Sequence, residues 1–219
     1  MLFALSRAEA GPLEPEHLLP GAEAAAPPAQ GLGCYEGADA LLIRGPAAGG
    51  LIEHFVSGFG RPCALLLSCS GPAERLPLAD SQPFARELHG HTHLFAFQGQ
   101  LQGLEDSRKY PTGPYRPVGA TVAEQAFCVL MARMRALWQD GKPLPEVRLA
   151  LVTDFAARMR PLGLANFIYS DSELLFAHAQ HRPDDPAAPG LFVSERPGRP
   201  ASPRWRRARA GRRWRRERS

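Results

Sequence analysis

Three histidines, His89, His91 and His93, alternate along the sequence. On a β-strand, residues two apart project from the same face, so these imidazoles could together bind zinc or another divalent metal. The motif itself contains no carboxylate that would complete the ligand set. Exposed histidines at a strand edge explain this pattern more often, and we therefore predict no metal site.

The four cysteines, Cys34, Cys63, Cys69 and Cys128, lie far apart and form no C-x-x-C pair. This spacing predicts free thiols rather than a structural zinc site or a disulfide framework. A nucleophilic pair of Cys69 with one of the histidines is an alternative whose geometry the sequence does not fix. No P-loop, G-x-S-x-G or G-x-G-x-x-G motif is present.

Three further segments follow one another in a characteristic order: D-S-Q-P-F from Asp80, F-A-F-Q-G-Q-L from Phe95 and R-P-V-G-A-T from Arg116. This order resembles the stand-alone class II glutamine amidotransferases, especially the branch with the ergothioneine-pathway γ-glutamyl amidohydrolases. There the segments read approximately N-T-H-P-F, Y-A-H-N-G-Q-L and R-P-V-G-x-T-D-S-E. The resemblance covers roughly residues 1–177 and is firmest over 80–130.

The resemblance implies an α+β fold with four αββα layers, of the N-terminal-nucleophile type. It also implies hydrolysis of the side-chain amide of glutamine or a γ-glutamyl small molecule, without a cofactor. Beyond His178 the family adds further strands that the Pro-rich and Arg-rich end does not resemble. We therefore expect the fold to be incomplete at its C-terminal edge.

The family's nucleophile is a cysteine at position 2, and its freed α-amine is the base. In this chain position 2 is Leu2, and M-L-F-A-L-S-R resembles the family's M-C-E-L-F-A-L-S-R without the C-E pair. Because leucine carries no lone pair, the chain as written has neither the nucleophile nor the amine base.

Three other family positions are also substituted. Cys69 replaces the substrate-binding arginine, and a thiol cannot make the bidentate pair of a guanidinium with a carboxylate. Gln98-Gly99 replaces the oxyanion pair N-G, after Phe97 in place of histidine; loss of one oxyanion donor costs about 10²–10³ in rate. Val122 replaces the aspartate that pairs with the substrate ammonium, which leaves that charge without a partner.

These substitutions predict a catalytically inactive or impaired member of the family, a pseudoenzyme. An amidohydrolase with a relocated cysteine nucleophile is the first alternative. The second is a protein without enzymatic activity that binds anionic partners through its basic end.

That basic end, residues 201–219, holds nine arginines and one glutamate, a local charge of +8 in a chain of net charge +4, so the other 200 residues carry 4 − 8 = −4. With Trp205 and Trp214 it could bind nucleic acid or an anionic surface. A disordered tail, from a shifted reading frame in GC-rich DNA, is the preferred interpretation. We predict a class II glutamine amidotransferase-like domain over 1–195 and a disordered tail over 196–219.

Hydrophobic periodicity predicts the remaining elements. Strands are expected at Ala40–Arg44, Pro62–Ser68 and Leu94–Gln98, helices at Val122–Trp138 with Thr121 as N-cap and at Leu149–Met159, and a hairpin at Asn166–Ser170 and Leu174–Ala177. Glu9–Gln30 reads as irregular, and Gly31-Leu32-Gly33 as a tight turn. The sequence lacks both a run of about 18 apolar residues and a signal peptide, which favours the cytoplasm.

Overall fold

The computed structural model describes residues 2–6, 29–45, 51–52, 54–55, 58, 64–69, 77–180, 192–193, 206–207 and 213–215. In these residues, no helix combines the length and the apolar character needed to cross a bilayer.

An antiparallel four-stranded sheet contains the first four strands in the order β1-β4-β2-β3. They are β1 (Leu2–Ser6), β2 (Ala29–Glu36), β3 (Asp39–Arg44) and β4 (Ala64–Cys69). The predicted strands at 40–44 and 62–68 are thus confirmed. Gly31-Leu32-Gly33 lies inside β2, so the prediction of a tight turn there is wrong. Most of the irregular segment predicted at 9–30 lies outside the described residues, and its last two residues open β2.

A second antiparallel sheet has the order β11-β8-β7-β6-β5. Its strands are β5 (Phe84–Leu88), β6 (His91–Leu101), β7 (Gly163–Ser170), β8 (Leu174–His178) and β11 (Arg213–Arg215). The predicted hairpin is confirmed as β7–β8, and β11 occupies the edge at which the sequence predicted missing strands. A separate ribbon pairs β9 (Phe192–Val193) with β10 (Arg206–Arg207). The prediction of a disordered tail over 196–219 is not met at 206–207 and 213–215, which are strands. For the rest of this range it stays a prediction.

Two helices cover one face of the five-stranded sheet. Helix α1 spans Val122–Leu137 and begins after Thr121, whose hydroxyl accepts a hydrogen bond from the Glu124 N–H at 3.3 Å. This is the predicted N-cap. Helix α2 spans Pro145–Met159, four residues longer at its start than predicted, because proline fits the first helical turn.

Strand β6, which lies between β7 and β5, contributes to two apolar cores because its side chains alternate between its two faces. Phe95 and Phe97 face the helices and belong to the helix-side core, which also contains Phe127, Phe155 and Trp138. The opposite face packs on the four-stranded sheet through the inter-sheet cluster Tyr35, Leu94, Ala96, Ile168 and Leu175. The described residues therefore form a helix–sheet–sheet arrangement. Residues 51–52, 54–55 and 58 are helical as well, and the fourth layer of the predicted αββα order stays a prediction.

Candidate functional site

The Asp80–Pro83 segment contacts the loop before Val122, the strand residue before Gln98, and Gly31 of β2. Asp80 ends a short 3-10 turn and its Oδ1 accepts a hydrogen bond from the Ala120 N–H at 2.7 Å. Gly119 is required there, because a Cβ at that position would lie 2.0 Å from the Asp80 Oδ1. The loop that leads into Val122 is thereby fixed to this segment.

Gln82 in the same segment touches both sheets. Its side-chain Oε1 accepts from the Phe97 N–H at 2.5 Å, and its Nε2 donates to the Phe97 carbonyl oxygen at 3.1 Å. Its backbone lies against Gly31 of β2, where a Cβ would come within 1.6 Å of the Gln82 carbonyl oxygen. Gln82 therefore positions the strand directly before Gln98-Gly99.

A row across the four-stranded sheet contains Leu2, which the resemblance aligns with the family's nucleophile. Leu2 on β1 pairs with Ser68 on β4, and Ser68 pairs on its other side with Gly31 on β2. Cys69 follows Ser68 directly. The structure thus brings the nucleophile and arginine positions, 67 residues apart in sequence, onto neighbouring strands. Gly31 connects this row to Gln82.

Leu2 is half-buried and packs against the inter-sheet cluster together with Ala4. Its side chain contributes apolar surface to the contact between the sheets, and it supplies no group that could attack an amide or remove a proton.

Gln98-Gly99 lies on β6 opposite Asn166 and Ala165 of β7. Gly99 has a φ of 152°, and a Cβ there would lie 1.9 Å from the Leu164 carbonyl oxygen. Only glycine permits this close approach of the two backbones. Gln98 is half-buried. A glycine and an amide side chain thus stand next to each other where the resemblance predicts the oxyanion pair.

Two residues that the resemblance aligns with polar family positions lie in or against the helix-side core. Phe97, at the histidine position, is 5% exposed and stacks on Phe95 with ring centroids 6.2 Å apart. Val122, at the aspartate position, packs against the same helix-side core. Both side chains contribute to packing in this structure.

Glu124 is an organising residue that we did not single out from the sequence. Its Oε2 accepts from the Val118 and Gly119 N–H groups at 3.1 and 2.7 Å, and its Oε1 accepts from Arg86. Burial acts to raise its pKa, but these hydrogen bonds outweigh burial and hold the pKa below its usual range. The T-x-x-E spacing after Thr121, typical of a capping box, was the available signal.

The buried thiols in the described part of the chain are not activated. Burial, reinforced by Glu36, raises the pKa of Cys34 to about 11. Burial also raises the pKa of Cys128, although Arg86 opposes the shift. Because the thiolate is the nucleophile, both groups are inert near neutral pH. Among the cysteines that the structure describes, Cys69 alone is near the position of Leu2 by strand register.

The alternating histidines surround Trp138 in the helix-side core. The rings of His89, His91 and His93 lie 6.3, 5.4 and 5.3 Å from it between centroids. His93 is fully buried, and its Nδ1 lies 2.6 Å from the Tyr169 hydroxyl. Within the residues covered by the structure, no group of three or more potential ligands could hold a metal ion. His91 and His93 share one face of β6, as predicted, and His89 lies in the turn before it. The prediction of exposed histidines is wrong for His93, because Trp138 and Tyr169 cover its ring.

The alternative of a Cys69–His pair fails for the histidines of β6. His91 and His93 lie on the helix-facing side of this strand, with Phe95. The sheet that contains Cys69 packs on the opposite face. His89 contacts Trp138 as well. The structure therefore speaks against the alternative in which His91 or His93 serves as the base for Cys69.

Residues 71–192, more than half of the chain, match the family of class II glutamine amidotransferases. The chain belongs to this family.

Over 101 residues the chain is 31% identical to YafJ of Escherichia coli (strain K12), by name a candidate glutamine amidotransferase. That alignment covers 46% of this chain and 38% of YafJ. Over 105 residues it is 30% identical to the uncharacterized protein MJ1515 of Methanocaldococcus jannaschii, with 47% of this chain and 27% of that protein covered. The chain thus spans well under half the length of these relatives.

Solved structures agree with the family. A predicted glutamine amidotransferase from Pseudomonas aeruginosa PA01 superposes with a TM-score of 0.55 at 29% identity, covering 68% of this chain and 58% of that chain. The glutamine phosphoribosylpyrophosphate amidotransferase of B. subtilis gives a TM-score of 0.55 at 9% identity, covering 81% and 36%, which shows the fold alone. The predicted α+β fold of the N-terminal-nucleophile type is confirmed.

Proposed function

We propose that this chain is a class II glutamine amidotransferase-like protein whose glutaminase chemistry is lost or severely weakened. Glutamine hydrolysis needs a nucleophile, a base, oxyanion donors and charges that hold the amino-acid end of the substrate. Leu2, Cys69 and Val122 stand at positions where the family has a nucleophile, a cation and an anion. The oxyanion position keeps Gly99 and exchanges asparagine for Gln98.

The observation that carries this function is the contrast between the frame and the substituted positions. Asp80, Gln82 and Glu124 make hydrogen bonds that fix the loops and strands around the site. By contrast, Phe97 and Val122, which the resemblance aligns with polar family positions, are apolar and pack in or against the helix-side core. General decay of the sequence would damage frame and site alike.

The first test measures glutamate release from glutamine and from γ-glutamyl amides by the purified full chain. Binding of glutamine is measured in parallel by calorimetry, and near-ultraviolet circular dichroism verifies that the buried aromatic cluster is packed. We expect no turnover and no saturable binding by folded protein. Turnover that copurifies with the protein through several columns and scales with its concentration would contradict the proposal.

A residual amidohydrolase is a second candidate, which one observation favours. Cys69 follows Ser68, the strand partner of Leu2, so a thiol lies on the strand beside the family's nucleophile position. If turnover is found, Cys69→Ala should abolish it. Cys128→Ala is the matched control, because Cys128 is buried against the helix-side elements and carries a raised pKa. If Cys69→Ala and Cys128→Ala both kept the turnover of the unmodified chain, Cys69 would be excluded as the nucleophile.

A further inference from the structure

If no strand paired with its outer side, β8 would be an exposed apolar edge of the five-stranded sheet. It pairs on one side with β7, and its residues Leu174, Leu175 and Phe176 are 2%, 7% and 2% exposed. These residues contribute to both apolar cores of the molecule. An open edge of this composition offers unpaired N–H and C=O groups to any extended segment and is a site for association between chains.

The Arg-rich end occupies this edge in the structure. Arg213, Trp214 and Arg215 pair antiparallel with Phe176, Leu175 and Leu174. Upstream, the same end pairs a second time, where Arg206–Arg207 lies beside Phe192–Val193 in the β9–β10 ribbon. Two separate strand pairings therefore hold the basic end to the preceding chain.

Charge favours this arrangement. Residues 201–219 carry +8, and the remaining 200 residues carry 4 − 8 = −4. A cationic segment is attracted to an acidic body, and charged residues on an outermost strand discourage addition of a further chain. An Arg-rich strand thus suits the outer position of this sheet.

We propose that residues 213–215 act in cis as an edge cap, which closes the five-stranded sheet at β8 and keeps that edge from accepting another chain. The cap covers a β-augmentation surface, and the partner that this surface fits is an extended peptide. This inference is independent of the amidase question, because it concerns strand pairing at the β8 edge of the five-stranded sheet, whereas the Leu2–Ser68–Gly31 row belongs to the four-stranded sheet.

The test uses the full chain with Trp214→Pro, since proline in the middle of the three-residue strand removes an N–H and disrupts the pairing. Hydrogen exchange of the β8 amides and the oligomeric state by light scattering are measured over a concentration series. We expect exchange at alternate β8 amides to accelerate at least about tenfold, with unchanged exchange in α1. We also expect concentration-dependent self-association, which a synthetic peptide of residues 204–219 suppresses.

Ala210→Pro is the matched control, because it places proline in the same end outside β10 and β11. It should leave exchange and oligomeric state as in the unmodified chain. Equal β8 exchange in Trp214→Pro, Ala210→Pro and the unmodified chain would overturn the cap. A dimer of the unmodified chain that Trp214→Pro converts to monomer would also overturn it, since the strand would then come from a second copy.

Discussion

The side-chain amide of Gln82 pairs with both backbone polar groups of Phe97, accepting from its N–H at 2.5 Å and donating to its carbonyl oxygen at 3.1 Å. Phe84 pairs with Phe95, so Gln82 stands where the β5–β6 ladder would continue by two residues. The side chain of Gln82 thus makes the two hydrogen bonds to Phe97 that a backbone residue would make if β5 began two residues earlier. The position of Gln98-Gly99 depends on this pairing.

Replacing Gln82 should therefore destabilise the fold. Gln82→Ala removes two hydrogen bonds and leaves the Phe97 N–H and carbonyl unpaired in a partly buried position, so we expect a loss of about 1–3 kcal/mol in the free energy of unfolding. Urea denaturation measures it. Gln102→Ala is the control, because Gln102 is exposed, and should change stability by less than about 0.5 kcal/mol. Similar effects of both substitutions would refute a special role of Gln82.

Gly99→Ala should destabilise the β6–β7 contact. The new Cβ would meet the Leu164 carbonyl oxygen at 1.9 Å, so the strands must separate. We expect a loss of at least about 2 kcal/mol, seen as a lower thermal midpoint. Gly103→Ala is the control that introduces backbone strain without a steric clash. Gly103 has a φ of 80°, and a Cβ added to it would have no heavy atom within 4 Å. Backbone strain alone should therefore lower the stability of this variant by about 1 kcal/mol. Equal losses would show that the close approach at Gly99 is unimportant.

Stability should fall with acid through two buried histidines. Burial, with His91 and Arg148 nearby, lowers the pKa of His93 to about 3, and burial with Arg160 lowers that of His178 to about 4. Below the ordinary pKa of 6.5, the unfolded chain binds protons that the folded chain excludes, so stability is greatest above pH 6.5 and decreases toward pH 3.

Replacing His93 tests this dependence. His93→Asn should reduce the slope of unfolding free energy against pH between pH 6 and 4 by up to about 1.4 kcal/mol per pH unit. His89→Asn is the control, because His89 is exposed. The same slope in all three proteins would mean that His93 is protonated in the folded state.

The ion pair between α2 and the β7–β8 turn should matter more than exposed pairs. Arg148 and Asp171 lie 2.8 Å apart with side chains 1% and 0% exposed. Arg148→Met leaves the Asp171 carboxylate buried without its cation, which should cost about 3–5 kcal/mol. Arg158→Met, which breaks an exposed pair with Asp154, should cost about 0.5 kcal/mol. Comparable losses in chemical denaturation would contradict this difference.

Local patterns in the sequence predicted the elements whose signals are local. The period of α1, its cap at Thr121 and the β7–β8 hairpin depend on neighbouring residues, and the structure confirms them. β5 was missed because polar Arg86 and Glu87 interrupt its apolar pattern. β2 was misinterpreted because Gly31 and Gly33 are typical of a turn, whereas here they permit close packing in a strand.

The candidate site was predictable only in part. The substituted positions follow from the resemblance, which the family match supports. Their spatial relation does not, because Leu2 and Ser68 meet through pairing of distant strands. The environment of the histidines depends in the same way on Trp138, a residue more than 40 positions further along the chain.

The contact of Gly31 with Gln82 also indicates how the molecule could be re-engineered. A single methyl group at position 31 would meet the Gln82 carbonyl oxygen at 1.6 Å, in the strand row that includes Leu2. Glycine therefore keeps the two sheets closed at this end. Opening a ligand-sized space between the sheets would therefore start with a substitution of Gly31. Any side chain at this position would push the Gln82 backbone away from β2.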